Sequence, residues 1–165
     1  MGYIEKVLII APTSVVAVWP KEFKEFAEFK YTCKTLLGAK KERIKALDDL
    51  MQFPFKAMKV AVINYESTWR EGIKEKLQEF DADLIICDES QRIKTHDAAQ
   101  SKAVHELGDG KIQVDLIRNT RPEQCDRHLQ SVSFFRFFSF WKKLLCIQKQ
   151  IRDHGRLQQK TDYRI

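Results

Sequence analysis

Short apolar runs alternate with longer amphipathic segments along residues 1–109 of the chain. The run KVLIIA is apolar over the length of a strand, and MKVAVIN is similar. Continuous apolar runs of this length are typical of parallel strands that are buried on both faces. The pattern therefore predicts strands at Lys6–Ala11, Thr32–Gly38, Met58–Asn64 and Asp83–Cys87.

The segments between these runs place apolar residues at helical spacing, with Lys and Glu between them. Pro12 ends the first run, and Thr13 and Ser14 can cap the helix that follows. Pro20 fits the first turn of a helix, or the start of a second helix after a short one. Gly72 weakens the third segment. The pattern predicts helices over Val15–Phe29, Lys40–Phe53, Ser67–Phe80 and Ala98–Leu107.

Strands that alternate with helices in this way indicate an α/β fold, with a parallel sheet and helices on both of its faces. Ligands of such sheets gather at the carboxyl ends of the strands. Three polar clusters directly follow predicted strands, and we expect them along one edge of the sheet. They are Pro12-Thr13-Ser14, Asn64-Tyr65-Glu66 and Asp88-Glu89.

Charge divides the chain into two parts. Residues 1–109 hold 17 basic and 18 acidic side chains, whereas residues 110–165 hold 12 basic and 5 acidic ones, so the net charge of +6 comes from the second part. No apolar run approaches the roughly 18 residues of a membrane span, and the first residues do not resemble a signal peptide. The four cysteines form no C-x-x-C pair, which favours reduced thiols, no metal site of that kind and a cytoplasmic protein without a membrane partner.

The acids Asp88 and Glu89 are the strongest candidates for chemistry. A carboxylate at the mouth of a buried strand can hold Mg²⁺ through water beside the phosphates of a nucleotide. A second acid can orient and deprotonate an attacking water. The alternative is an ordinary acidic turn that stabilises the start of the next helix.

The three clusters occur in an order that resembles the N-terminal ATPase lobe of Swi/Snf-type proteins, within helicase superfamily two. The family form P-x-S-[apolar]-[apolar]-x-x-W-x-x-E is matched by VLIIAPTSVVAVWPKEF, and the [ST]-Y-E turn by Asn64-Tyr65-Glu66. The DEAH box with its following R-[IL]-K is matched by DESQRIK. The matching residues of the first and third motifs are Pro12, Ser14, Val15, Val16, Trp19, Glu22, Asp88, Glu89, Arg92, Ile93 and Lys94.

The resemblance implies that residues 1–109 are a partial helicase ATP-binding lobe, a RecA-like parallel sheet with flanking helices. By family the activity would be ATP hydrolysis coupled to movement along double-stranded DNA, with ATP and Mg²⁺ as cofactors. Asp88 would hold Mg²⁺ through water, Glu89 would be the base for water, and Gln91 replaces the family's histidine beside the nucleotide. The DNA backbone would be contacted by Pro12, Thr13, Ser14, Asn64 and Tyr65. Trp19, Tyr65 and Trp69 are also expected as packing residues.

Two parts of such an enzyme are not found in the 165 residues. There is no G-x-x-x-x-G-K-[ST] phosphate loop and no second helicase lobe. We therefore expect an enzyme fragment that cannot turn over ATP alone. The alternatives are a module that grips the DNA backbone without catalysis, and a remnant of a disrupted gene with no function.

Residues 110–165 lose the alternating pattern. A one-base shift in a permitted set of codons for KIQVDLIRNTR reads KYKLILSGTP, which contains the family's [ST]-G-T-P motif. We infer a frameshift near Gly110 and expect this tail to be irregular or helical and poorly ordered, with a short helix over Phe134–Gln150. The sheet should then lack its strand from this region.

Overall fold

A computed structural model describes residues 4–54, 57–90 and 99–116 of the chain. This part forms one sheet of five strands, in which every neighbouring pair is parallel. The predicted α/β class with a parallel sheet is therefore confirmed. The strands are β1 (Lys6–Ala11), β2 (Tyr31–Thr35), β3 (Met58–Asn64), β4 (Leu84–Asp88) and β5 (Ile112–Leu116). Their order across the sheet is β2-β3-β1-β4-β5.

Helices connect the strands, as a parallel sheet requires. Within the described ranges, no helix is long and apolar enough to pass through a lipid bilayer. One turn of 3-10 helix, Tyr65–Ser67, follows β3 directly. The α-helices are α1 (Thr13–Val16), α2 (Trp19–Phe26), α3 (Lys40–Met51), α4 (Ile73–Phe80) and α5 (Ala99–Gly108).

The main core lies between one face of the sheet and the helices α3, α4 and α5. Alternate residues of the central strands, such as Leu8, Ile63 and Ile85, are almost fully buried there. Phe80 closes the same cluster from α4. Each fully buried side chain of this kind contributes about 1.5–3 kcal/mol relative to an exposed one. The central strands β1, β3 and β4 are thus apolar because both of their faces are covered.

The break between α1 and α2 follows from the two prolines. Pro12 precedes α1 in an extended conformation, and Pro20 lies in the first turn of α2, where its missing N–H group costs nothing. Trp19 and Phe23 are buried on α2, and the ring of Phe23 lies 5.3 Å from that of Tyr31 between centroids. The alternative of two helices with a break near Pro20 is the one observed.

The predicted helix over Ser67–Phe80 is wrong at its start. Gly72 has φ 78°, in the left-handed region that right-handed helices exclude, and α4 begins only at Ile73. The carboxylate of Glu75 accepts a hydrogen bond from the Gly72 N–H group and caps the first turn. The preceding residues form turns, so the amphipathic spacing before Gly72 does not correspond to a helix.

The expectation that the tail adds no strand to the sheet is also wrong. Strand β5 pairs with β4 from Leu84 opposite Ile112 to Asp88 opposite Leu116. The segment alternates polar and apolar residues and follows Gly110, whose φ of 68° reverses the chain after α5. The Lys111 ammonium contacts the Asp81 carboxylate at 2.5 Å and holds the start of β5 beside β4.

All five strands belong to one compact unit, Glu5–Arg121. A second unit, Met1–Ile4 with Pro122–Ile165, lies almost entirely outside the described residues. The helix predicted over Phe134–Gln150, and the rest of the predicted irregular or helical tail after Leu116, also lie outside the described residues.

Candidate functional site

The three predicted polar clusters lie at the same edge of the sheet. Ala11, the last residue of β1, pairs with Asn64, the last residue of β3. On the other side of β1, Ile10 pairs with Cys87, which brings the following Asp88 level with Ala11. The parallel register therefore places the ends of three strands side by side, as the pattern of strands predicts.

Tyr65 joins two of the clusters. Its hydroxyl donates a hydrogen bond of 2.8 Å to the backbone carbonyl of Asp88, and its side chain is only 3% exposed. Burial raises the pKa of the phenol, and the nearby Cys87 and Asp88 add to this effect, so the group stays a protonated donor. A residue this buried offers no surface to DNA, so its position favours the packing alternative over the predicted DNA contact.

Thr13 and Ser14 are exposed where the chain enters α1, while Pro12 is buried beneath them. The Pro12 carbonyl accepts hydrogen bonds from the N–H groups of Val15 and Val16, at 2.8 and 3.2 Å. The Thr13 hydroxyl donates to the Glu66 carboxylate at 3.3 Å. Because Glu66 takes the Thr13 proton, the exposed Ser14 is the residue whose hydroxyl can donate to a phosphate at this edge.

Asn64 lies inside a network that the sequence did not reveal. It is 7% exposed, and its side-chain amide donates to Glu66 at 2.7 Å. The amide oxygen accepts a hydrogen bond of 2.9 Å from the guanidinium of Arg43, which also donates to Ser67 and, at 2.8 Å, to the Gly38 carbonyl. No sequence motif indicates Arg43. A weak signal is its place near the start of α3, where the helix dipole disfavours a cation.

Asp88 and Glu89 mark the end of β4. Asp88 is partly buried, and Glu89 has φ 53°, a left-handed conformation that few residues other than glycine adopt. Such backbone strain is frequent at functional sites. The motif continues with Gln91, Arg92, Ile93 and Lys94, which lie outside the described residues.

The acids fit one half of a magnesium–nucleotide site. Mg²⁺ is usually held by one or two carboxylates together with substrate phosphates, and a single strand-end aspartate suits that role. Residues 4–54, 57–90 and 99–116 contain no group of three or more His, Cys, Asp or Glu side chains that could hold a metal by themselves. Asp88 would hold the ion together with phosphate oxygens, and the ion would neutralise charge on those oxygens.

The two tryptophans in the described part of the chain differ in burial. Trp19 is 5% exposed and packs in the core, as predicted. Trp69, also predicted to pack, is 48% exposed on the turn between the 3-10 helix and Gly72. This turn is irregular because α4 starts late, so the predicted helical face that would have buried Trp69 does not exist.

Known proteins resemble the same part of the chain. Residues 1–112 match the model of the SNF2-related domain family. The chain is 29% identical over 104 residues to Protein CHROMATIN REMODELING 25 of Arabidopsis thaliana, covering 63% of this chain and 11% of the relative. It is 34% identical over 100 residues to a DNA repair and recombination protein RAD54-like of Drosophila persimilis, covering 57% and 12%. The chain therefore spans about a tenth of the length of these relatives.

Solved structures share the fold. The Sulfolobus solfataricus SWI2/SNF2 ATPase core, determined in complex with dsDNA, has a TM-score of 0.51 at 24% identity and covers 69% of this chain and 21% of its own. The Type ISP restriction-modification enzyme LlaGI, in complex with a DNA substrate mimic, has a TM-score of 0.52 at 21% identity, covering 70% and 11%. These likenesses support the RecA-like fold, a parallel sheet with flanking helices. Because the family model covers more than half of the sequence, the chain belongs to the family of SNF2-related domains.

Proposed function

We propose that this chain is part of an ATP-driven translocase on double-stranded DNA, and that the carboxyl edge of its sheet grips the DNA backbone. The observation that carries the proposal is the meeting of three motifs at one edge, joined by the hydrogen bonds Tyr65–Asp88 and Thr13–Glu66. Two of the relatives are named for chromatin remodelling and for DNA repair, and one structural neighbour was determined with dsDNA.

Within this proposal, Ser14 contacts a phosphate through its hydroxyl and Thr13 through its backbone N–H group, because the single proton of the Thr13 hydroxyl is donated to Glu66. Phosphate contacts of this kind position a protein on DNA without reading its sequence. Asn64 is buried and contributes indirectly, through its hydrogen bond to Glu66. The contact would therefore follow the backbone of one DNA strand, independent of base sequence.

The chemical step is assigned to the acids at the end of β4. Asp88 would hold Mg²⁺ through water, the ion would neutralise phosphate charge, and Glu89 would be the base that accepts a proton from the attacking water. The hydrogen bond from Tyr65 to the Asp88 carbonyl links the cluster Asn64-Tyr65-Glu66, which belongs to the proposed DNA contact, to these acids. Gln91 is proposed to pass on the state of the nucleotide, since its amide can both donate and accept hydrogen bonds.

These 165 residues contain no G-x-x-x-x-G-K-[ST] motif, so we propose that on their own they bind DNA and do not hydrolyse ATP. ATPase assays with and without duplex DNA should show no turnover above background. Titration with a fluorescent duplex should show weak binding whose affinity falls as salt increases. Turnover that disappears in Glu89→Gln would refute the inactivity.

The alternative is a remnant of a disrupted gene without function. One observation favours it: the family match ends at residue 112, close to the point where the sequence pattern is lost. The DNA titration distinguishes the two. If the double substitution Thr13→Val with Ser14→Ala weakens binding, the result supports DNA contact at the carboxyl edge of the sheet, here called the DNA edge. If binding is unchanged, the result argues against that contact.

A further inference from the structure

Arg43 is an unusual cation at this edge. It is only partly exposed, and it forms no ion pair within the described part of the chain, where its donors meet the Gly38 carbonyl, the Asn64 amide and the Ser67 hydroxyl. Burial lowers the pKa of its guanidinium, and the neighbouring Arg70 lowers it further. The guanidinium donates to three neutral acceptors and has a like-charged neighbour. We therefore infer that hydrogen-bond geometry, rather than attraction between opposite charges, explains an arginine at this position.

The chemistry of these groups fixes the direction of the whole network. A guanidinium can only donate, so the oxygen of the Asn64 amide must face Arg43. The amide nitrogen then faces Glu66 and donates to it at 2.7 Å. The same Glu66 oxygen accepts the hydroxyl of Thr13. A chain of hydrogen bonds therefore runs from α3, across the end of β3, to the exposed start of α1.

We propose that Arg43 is a positioning residue for the DNA edge. It orients the Asn64 amide, which holds the Glu66 carboxylate; Glu66 in turn fixes Thr13 at the start of α1, where the Ser14 hydroxyl and the Thr13 backbone N–H group meet DNA phosphates. This inference rests on the proposed function for the role of DNA, and on the geometry alone for the orientation of Asn64. Lysine cannot replace Arg43, because a single ammonium cannot reach three acceptors that the planar fork of arginine meets at once.

The orientation of Asn64 can be measured without DNA. The chain contains two asparagines, Asn64 and Asn119, so selective ¹⁵N-asparagine labelling of the full chain yields two side-chain amide signals. Asn64→Ser assigns one of them by its disappearance. We expect Arg43→Met and Arg43→Lys to shift the Asn64 signal, and Lys45→Met, which removes an exposed charge from the same helix, to leave it in place. An unshifted Asn64 signal in folded Arg43→Met would overturn the proposal.

The DNA titration provides the functional test. Arg43→Met and Arg43→Lys should both weaken binding at least about fivefold, whereas the dependence of affinity on salt keeps its slope because no phosphate contact is lost. Adding Asn64→Ser to Arg43→Met should cause little further loss, since both act through one network. Retained affinity in Arg43→Lys, or a salt slope reduced by about one, would make Arg43 a direct charge contact and sink the positioning role. If the unsubstituted chain does not bind DNA, the proposed function fails, while the amide signal still decides whether Arg43 orients Asn64.

Discussion

Glu22 shows at the residue scale how a motif position can reduce stability. One of its carboxylate oxygens is buried and has no hydrogen-bond partner within the described residues. Burial, and then the charge of Glu25, raise the pKa of Glu22 above its ordinary value of 4.5. An acid whose pKa is raised by folding stabilises the fold below its unfolded pKa, and this contribution is lost as pH rises through the folded value. At neutral pH the ionised Glu22 therefore disfavours the folded state.

Glu22→Gln should accordingly raise the free energy of unfolding at pH 7. The gain should be at most about 1 kcal/mol, because the carboxylate is partly solvated and solvent screens its charge. Urea unfolding at pH 7 and pH 4 measures it, and the gain should shrink at the lower pH, where Glu22 is protonated. Glu28→Gln, at an exposed position beyond the end of α2, is the control and should change little. An equal gain at both pH values would contradict the electrostatic explanation.

At the scale of elements, β1, β3 and β4 were predictable because each carries its own apolar run. β1 and β3 begin and end where the pattern of residues predicts. The start of α4 was not predictable from periodicity, because the helical spacing of apolar residues continues across Gly72. The left-handed conformation of Gly72 is visible only in the structure. Arg43 was missed for a different reason: its partners lie up to 24 residues away, so only the folded chain brings them together.

Gly72 gives a direct test of that explanation. Gly72→Ala should lower the free energy of unfolding by about 1–2 kcal/mol, because an alanine at φ 78° is strained and its Cβ would lie 2.5 Å from the Lys40 side chain. Gly108→Ala is the matched control, since its φ is ordinary and its Cβ would meet only the movable end of Gln113. Urea unfolding of both variants decides the matter. Equal losses would show that the left-handed turn is not what limits α4.

At the scale of the whole molecule, the least expected element is also the least well packed. Cys87 is fully buried, yet its neighbour in the register, Asp115, is exposed, and Ile112 is 48% exposed. Residues paired across parallel strands point to the same side of a sheet, so Asp115 occupies a position on the side of the main core. Strand β5 thus pairs as the fifth strand of the sheet, but its side chains are poorly suited to a position that faces the core.

We propose a shifted reading frame as the cause of this mismatch. In the frame that reads KYKLILSGTP, isoleucine stands in place of Asp115, and the match to the family ends at residue 112, just before this position. We predict that resequencing the gene reveals an inserted or deleted base near the codon for Gly110. An intact frame there would contradict the inference, whatever the structure of the tail.

The same inference predicts a gain in stability from one substitution. Asp115→Ile should raise the free energy of unfolding by about 1 kcal/mol, because isoleucine favours a strand and can pack its apolar side chain beside Cys87, whereas aspartate does neither. Asp109→Ile adds the same side chain outside the strand and should give no comparable gain. Urea unfolding of the full chain with each substitution compares them. Equal gains in both variants would show a general effect of added hydrophobicity and would contradict the inference for β5. A gain confined to Asp115→Ile would identify β5 as the strand whose residues do not suit its position in the sheet.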